Sequence, residues 1–132
     1  MIFLDSSVLA DYLRGHDYAG EYINEHESVA LHTSSIIMWD LFYGALNHSS
    51  SSKTIETVTE SLSWLEVAPF TFEDAAEAAA IREELYSNGT PIPVPDMLLA
   101  GTVRQADGTV VTRDDDFEEV PNLSVELLTP DK

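Results

Sequence analysis

The sequence has no cysteine, only two lysines (Lys53 and Lys132) among 132 residues, and no apolar run approaching the roughly 20 residues of a membrane span. Without cysteine there can be no disulfide framework and no thiolate-bound zinc or iron–sulfur cluster. Four histidines, at 16, 26, 32 and 48, show no metal-ligand spacing and are assigned no role. The N-terminal Met1-Ile2-Phe3-Leu4-Asp5 carries no basic region of the kind that opens an export signal. The expectation is a soluble cytoplasmic protein with no membrane attachment, one domain spanning residues 1–132. That length lies in the usual range for a single hydrophobic core.

Cations are scarce and acids abundant: 24 Asp plus Glu against 6 Lys plus Arg give a formal charge of −18. With 44% hydrophobic residues the chain is too apolar for a disordered acidic tail. The acids are spread along the whole length, so self-repulsion opposes the compact state in dilute buffer. Concentrated salt removes that penalty, because the Debye length falls to about 3 Å at 1 M. The acidity is read as adaptation to a salty cytoplasm such as a halophile's, with a nucleic-acid mimic or acidic docking protein as the rival.

Apolar runs and punctuation alternate strand with helix along the chain. Ile2-Phe3-Leu4 reads as a buried strand, and Asp5-Ser6-Ser7 as capping residues for a helix from Val8 to Leu13. A helix follows from Asp17 towards Glu27, then a strand at Val29-Ala30-Leu31, with Thr33-Ser34-Ser35 as caps for a helix over Ile36–Leu46. Residues 48–53 look like a linker, and the helix after them runs to about Trp64. Leu65-Glu66-Val67 is a third strand, and Thr71 caps a helix from Phe72 to Tyr86 that stops at Asn88-Gly89. Pro91, Pro93 and Pro95 lead in extended form to Asp96 at the start of a helix reaching Gln105; Thr109–Thr112 and Val125–Leu128 complete the strands. Short apolar strands separated by helices predict an α/β domain, a three-layer α/β/α arrangement about a central parallel sheet.

Four acids stand out by position. Asp5 ends the first strand, Asp114 follows a later one, and ligands of open parallel sheets bind outside such strand ends. Asp40 lies in Ile36–Ala45, a stretch apolar nearly all round and expected to be buried, where a carboxylate needs a partner or a cation. Asp96 stands at a helix N-terminus. Gathered carboxylates without cysteine or histidine are oxygen ligands suited to Mg²⁺ or Mn²⁺. Plainer readings remain for each: Asp5 and Asp96 as helix caps, Asp40 as a solvent-facing position, and Asp114–Asp116 as a solvated turn.

These motifs together resemble the PIN-domain ribonucleases, especially the VapC-type toxins of toxin–antitoxin pairs. The resembling segments are Ile2–Leu9, a strand into Asp and small hydroxyl residues, and Ser35–Gly44, patterned Ser-x-x-x-x-acid-Leu-x-x-Gly. Further along come the Pro-x-x-Asp-x-x-Leu-Ala segment ending at Asp96–Ala100 and Val-Thr-Arg-Asp-x-Asp-Phe at 111–117. The resemblance implies a metal-dependent endoribonuclease acting on RNA phosphodiester bonds. It makes Asp5, Asp40, Asp96 and Asp114 the catalytic and metal-binding acids, with Ser6, Thr112, Arg113 and Asp116 as helpers. It also implies Mg²⁺ or Mn²⁺ as cofactor, a cognate antitoxin as partner and a homodimer. Asp40 stands where that family usually has Glu, which keeps open the alternative of a weak or inactive PIN-like domain serving as a protein-binding module. A receiver domain is disfavoured by the lack of a late lysine, and an aspartate-nucleophile phosphatase by Ser7 where its second acid would stand. Arg14, Arg104 and Arg113 are candidate phosphate contacts, and Trp39, Phe42 and Trp64 candidate interface residues.

Overall fold

The computed structural model describes residues 1–47 and 54–130. The linker expected at 48–53 therefore lies outside the described residues, as do both lysines. The elements run β1 (Ile2–Leu4), α1 (Ser6–Leu13), α2 (Asp17–Glu25), β2 (Leu31–Ser34), α3 (Ser35–Asn47), α4 (Ile55–Ser61) and β3 (Glu66–Ala68). They continue with α5 (Phe72–Ser87), α6 (Val94–Gln105), β4 (Thr109–Thr112), a short 3₁₀ helix over Asp115–Glu119, and β5 (Ser124–Leu127). All neighbouring strands pair in parallel, in the order β3-β2-β1-β4-β5. The chain thus builds outward from β1 through β2 to β3, then returns through α5 and α6 to lay β4 on the other side of β1. That reversal opens a crevice at the carboxyl ends of β1 and β4.

β1 is the middle strand, and its Phe3 and Leu4 are almost completely buried. It was expected that β2 would start at Val29, but Val29 and Ala30 are exposed and the strand begins at Leu31. Thr33 and Ser34 are both buried residues of β2; Ser34 also caps α3 as expected, its hydroxyl accepting the Ile36 N–H at 3.1 Å, whereas the Thr33 hydroxyl donates to the Leu4 carbonyl at 2.8 Å inside the sheet. β3 is likewise shifted by one residue, and α2 stops at Glu25 with His26 as its cap. α6 starts two residues before Asp96, because Pro95 is accommodated in a first helical turn that needs no N–H from it.

The largest correction concerns α3. It is not enclosed: Ile37, Met38 and Leu41 face the core, whereas Trp39, Tyr43 and Leu46 are more than half exposed. Apolar composition on all sides here means one face buried and another left for solvent or a partner. Trp64 is half-buried, edge-on against Tyr12 with its ring N–H donating to the Ser61 carbonyl, so it closes the core margin.

α5 and α6 form the tightest helix pair. At Gly101 a Cβ would lie 2.7 Å from the Ala78 Cβ and 2.8 Å from the Asp74 carbonyl oxygen, so only glycine allows this approach. The Asp74 carboxylate caps α5 at its own N-terminus and accepts the Thr102 hydroxyl at 2.9 Å, joining the two helices inside the core. Gly101→Ala should lower stability by roughly 1–3 kcal/mol through overpacking. Urea titration should show the midpoint falling at constant slope.

Candidate active site

Asp5 caps α1 directly after β1, and only 2% of its surface is exposed. Its Oδ1 accepts the Ser6 backbone N–H at 2.7 Å, while its Oδ2 accepts the hydroxyls of Thr112 at 2.7 Å and Ser7 at 2.9 Å. The Thr112 hydroxyl in turn accepts the Asp114 N–H at 2.9 Å, and the Ser7 hydroxyl accepts the Arg113 N–H at 3.2 Å. The ends of β1 and β4 are thereby tied together through one buried carboxylate. Burial raises the Asp5 carboxyl above its ordinary range, against the lowering effect of these donors.

Asp96, in the first turn of α6, meets Asp114 and Asp116 from the segment after β4. One carboxylate oxygen from each of the three lies within 4.8 Å of the others. Burial, then the charges of Asp5, Asp114, Asp116 and Asp40, push the Asp96 carboxyl up to about 7. Asp114 also caps the 3₁₀ helix by accepting the Asp116 N–H at 3.0 Å, which fixes the turn carrying both acids. Asp40 is half-buried on α3, outside this trio but near enough for its charge to act on Asp96.

The geometry gathers Asp96, Asp114 and Asp116, and Asp5 and Asp40 stand near enough for their charges to act on Asp96. Of the two hydroxyl residues after Asp5, Ser7 is the one whose side chain reaches the segment after β4. Ser6 contributes its backbone N–H and a long hydroxyl contact of 3.4 Å, whereas the Ser7 hydroxyl bridges both strand ends. The small hydroxyl pair after Asp5 was the available signal, and the helical turn decides which of the two faces β4.

The arginines are engaged elsewhere. Arg104, a candidate phosphate contact, bonds Glu77, Glu84 and the Pro121 carbonyl between α5 and the segment before β5. Arg113 donates from Nε to Asp11 at 2.7 Å, and Arg14 lies 3.5 Å from the same carboxylate. Asp11 is buried and also accepts the Tyr18 hydroxyl. Burial opposes its ionisation, but Tyr18 and Arg113 outweigh that and hold its carboxyl below the usual range, while Tyr18 is pushed up to about 12. Arg113 is thus clamped to α1 twice, by its side chain to Asp11 and by its backbone to Ser7.

Three carboxylates converging on one point, with a fourth beneath them and no cationic side chain in the trio, fit a hard divalent cation with oxygen ligands. Without one the cluster carries a protonation penalty. Asp96 has its folded pKa above its unfolded value, so its cost to stability is absent below about pH 4, grows as pH rises and is complete above about 7. In chelator, Asp96→Asn should raise the melting temperature by roughly 5 °C or more at pH 8, with a clearly smaller gain at pH 5. Thermal scans at the two pH values check this.

Residues 2–123 match the PIN domain family. The tRNA(fMet)-specific endonuclease VapC of Salmonella typhimurium is 32% identical over 94 residues, which are 70% of this chain and 71% of that protein. In structure the chain is similar to the DNA-bound VapBC of Salmonella typhimurium, with a TM-score of 0.84 and 28% identity across 95% of this chain and 96% of that one. It shares its fold with VapBC2 of Rickettsia felis bound to a promoter DNA fragment, at a TM-score of 0.83 and 24% identity over 96% and 98% of the two chains. With its acids gathered where β1 and β4 end, the chain belongs to the PIN domain family and to its VapC-type members.

Proposed function

We propose that this chain is the endoribonuclease toxin of a type II toxin–antitoxin pair, hydrolysing RNA phosphodiester bonds with the help of Mg²⁺ or Mn²⁺. The observation that carries the reading is the approach of Asp96, Asp114 and Asp116 within 4.8 Å, above the buried Asp5. Asp96, Asp114 and Asp116 would hold the cation, with Asp5 and Asp40 adding charge and further oxygens around it. A divalent ion bound there supplies Lewis-acid activation of water and of the phosphodiester. Ser7 and Thr112 keep the Asp5 carboxylate oriented, and the Asp114 cap keeps Asp114 and Asp116 on one side of the turn.

Support for the toxin assignment comes from the VapC relative and from the VapBC complexes of the same fold. An antitoxin partner and a homodimer both need apolar surface, and the exposed Trp39, Tyr43 and Leu46 of α3 supply it, with the Trp39 and Tyr43 rings stacked 6.2 Å apart. The half-buried Phe42 borders that face. The protein would act in the cytoplasm as one PIN-like domain of residues 1–132; among the described residues no helix is long and apolar enough to cross a membrane.

The charge of −18 supports a further element of the reading, work in concentrated salt. Contacts between lysines and phosphates lose most of their strength there, so a chain with two lysines forfeits little, and RNA binding would rest on the cation and on shape.

Purified protein given single-stranded and structured RNA in molar salt should cleave with Mg²⁺ or Mn²⁺ and stop with chelator. Asp96→Asn and Asp116→Asn should each reduce the rate by roughly a hundredfold or more, the scale on which removing a transition-state charge partner acts. Cleavage that survives chelator or Asp96→Asn refutes the assignment. The melting temperature should rise steadily from about 0.1 M to about 2 M KCl as the acids are screened; a flat profile refutes the salt adaptation.

A further inference from the structure

Beside the acidic crevice, at the same end of the sheet, lies an open groove of about 470 Å³ between the segment after β4 and the end of edge strand β5. Its walls include Ser7, Arg113 and Asp115 on one side and Leu127, Leu128 and Pro130 on the other. Asp114, one of the three converging acids, borders it as well, so the groove is continuous with the crevice. The position of this wall is fixed. The Leu128 N–H donates to the Thr112 carbonyl at 2.7 Å, and Arg113 is clamped to α1 by Asp11 and Ser7.

The chemistry of the lining narrows the occupant. Two aspartates face one arginine, so an anionic group gains little there, whereas an uncharged planar ring gains from Leu127, Leu128 and Pro130. A carboxylate such as the exposed Asp115 can accept N–H groups, and a guanidinium whose Nε is held, as that of Arg113 is by Asp11, can still donate from its terminal nitrogens to ring nitrogens and carbonyl oxygens and stack on flat rings. Unstacked RNA bases offer both kinds of edge, and sites for them are built this way. The volume also falls within the roughly 300–1,000 Å³ of small-molecule sites.

We infer that this groove receives the nucleobase next to the phosphodiester being cut and sets a base preference at that position. The inference rests on the endoribonuclease reading for what the base is attached to. The groove itself, however, can be probed without cleavage.

Two measurements test it. In the first, RNAs randomised on both sides of a fixed cleavage site are digested in molar salt with Mn²⁺. The wild type should prefer one base at one flanking position by roughly fivefold or more, the low end for a single well-made base contact. Asp115→Asn and Leu127→Thr, both at exposed positions, should shrink that ratio towards unity. A change in cation affinity alone would slow all substrates equally and leave the ratio intact. A wild type that cleaves without flanking preference, or a preference that survives both substitutions, overturns the inference and leaves the nuclease reading standing. In the second, protein labelled at leucine methyls is titrated in chelator with each of the four nucleoside 5′-monophosphates and with ribose 5-phosphate. Saturable shifts at Leu127 and Leu128 with a nucleotide but not with ribose 5-phosphate support a base site, even if no RNA is cleaved. Equal shifts with all five compounds, or none, overturn it.

Discussion

The burial of carboxylates close to one another is the constraint on which the crevice turns. Asp96 is pushed up to about 7 by burial and by four neighbouring acids, a state no isolated chain segment would adopt. Asp5 is held by donors from α1 and from β4, and Thr112 and Ser7 pass that anchorage on to the backbone at 113 and 114. The strain is local to the crevice, while the packing that offsets it is spread over the sheet and its helices.

Topology explains why the acids meet at all. They come from four separate parts of the chain, after β1, within α3, in the first turn of α6 and after β4. Only a parallel sheet whose strand order reverses beside β1 directs the strand-end members to one crevice. The same reversal sends α6 back across to α5, where Gly101 and the Asp74–Thr102 bond leave no slack between the helices. The placement of Asp96 therefore depends on a glycine more than one helical turn away from it.

Much of this was legible in the residues. Asp5, Asp96 and Asp114 sit in local signals, a strand end, a proline-led helix start and a strand end again, and for Asp5 and Asp114 the capping reading and the crevice reading hold together. Asp116 was harder to rank, because whether the second or third acid of a run turns inward is decided by the 3₁₀ turn after Asp114. Ser7 outranks Ser6 for a similar reason. α3 misled because composition reports how apolar a helix is and not how many of its sides the rest of the chain can cover; the sheet, α1, α4 and α6 cover only part of it. β2 was displaced because Thr33 and Ser34 look polar in sequence, yet a hydroxyl with a backbone partner, the Leu4 carbonyl for Thr33 and the Ile36 N–H for Ser34, is no obstacle to burial.

The engagement of the arginines has one more consequence. Arg104 is consumed between Glu77 and Glu84, Arg14 and Arg113 lean on Asp11, and Arg82 lies over the Tyr86 ring, so the described surface shows an approaching polyanion little free positive charge. Two like-charged molecules must then share a cloud of counterions before they can touch. For an ordinary basic nucleic-acid-binding protein, association releases bound ions and added salt drives the partners apart. If the polyanion is RNA, as proposed, association would gather ions instead, and the sign of that dependence would invert: the encounter would quicken as the solution becomes more concentrated, making the ionic medium a participant in recognition.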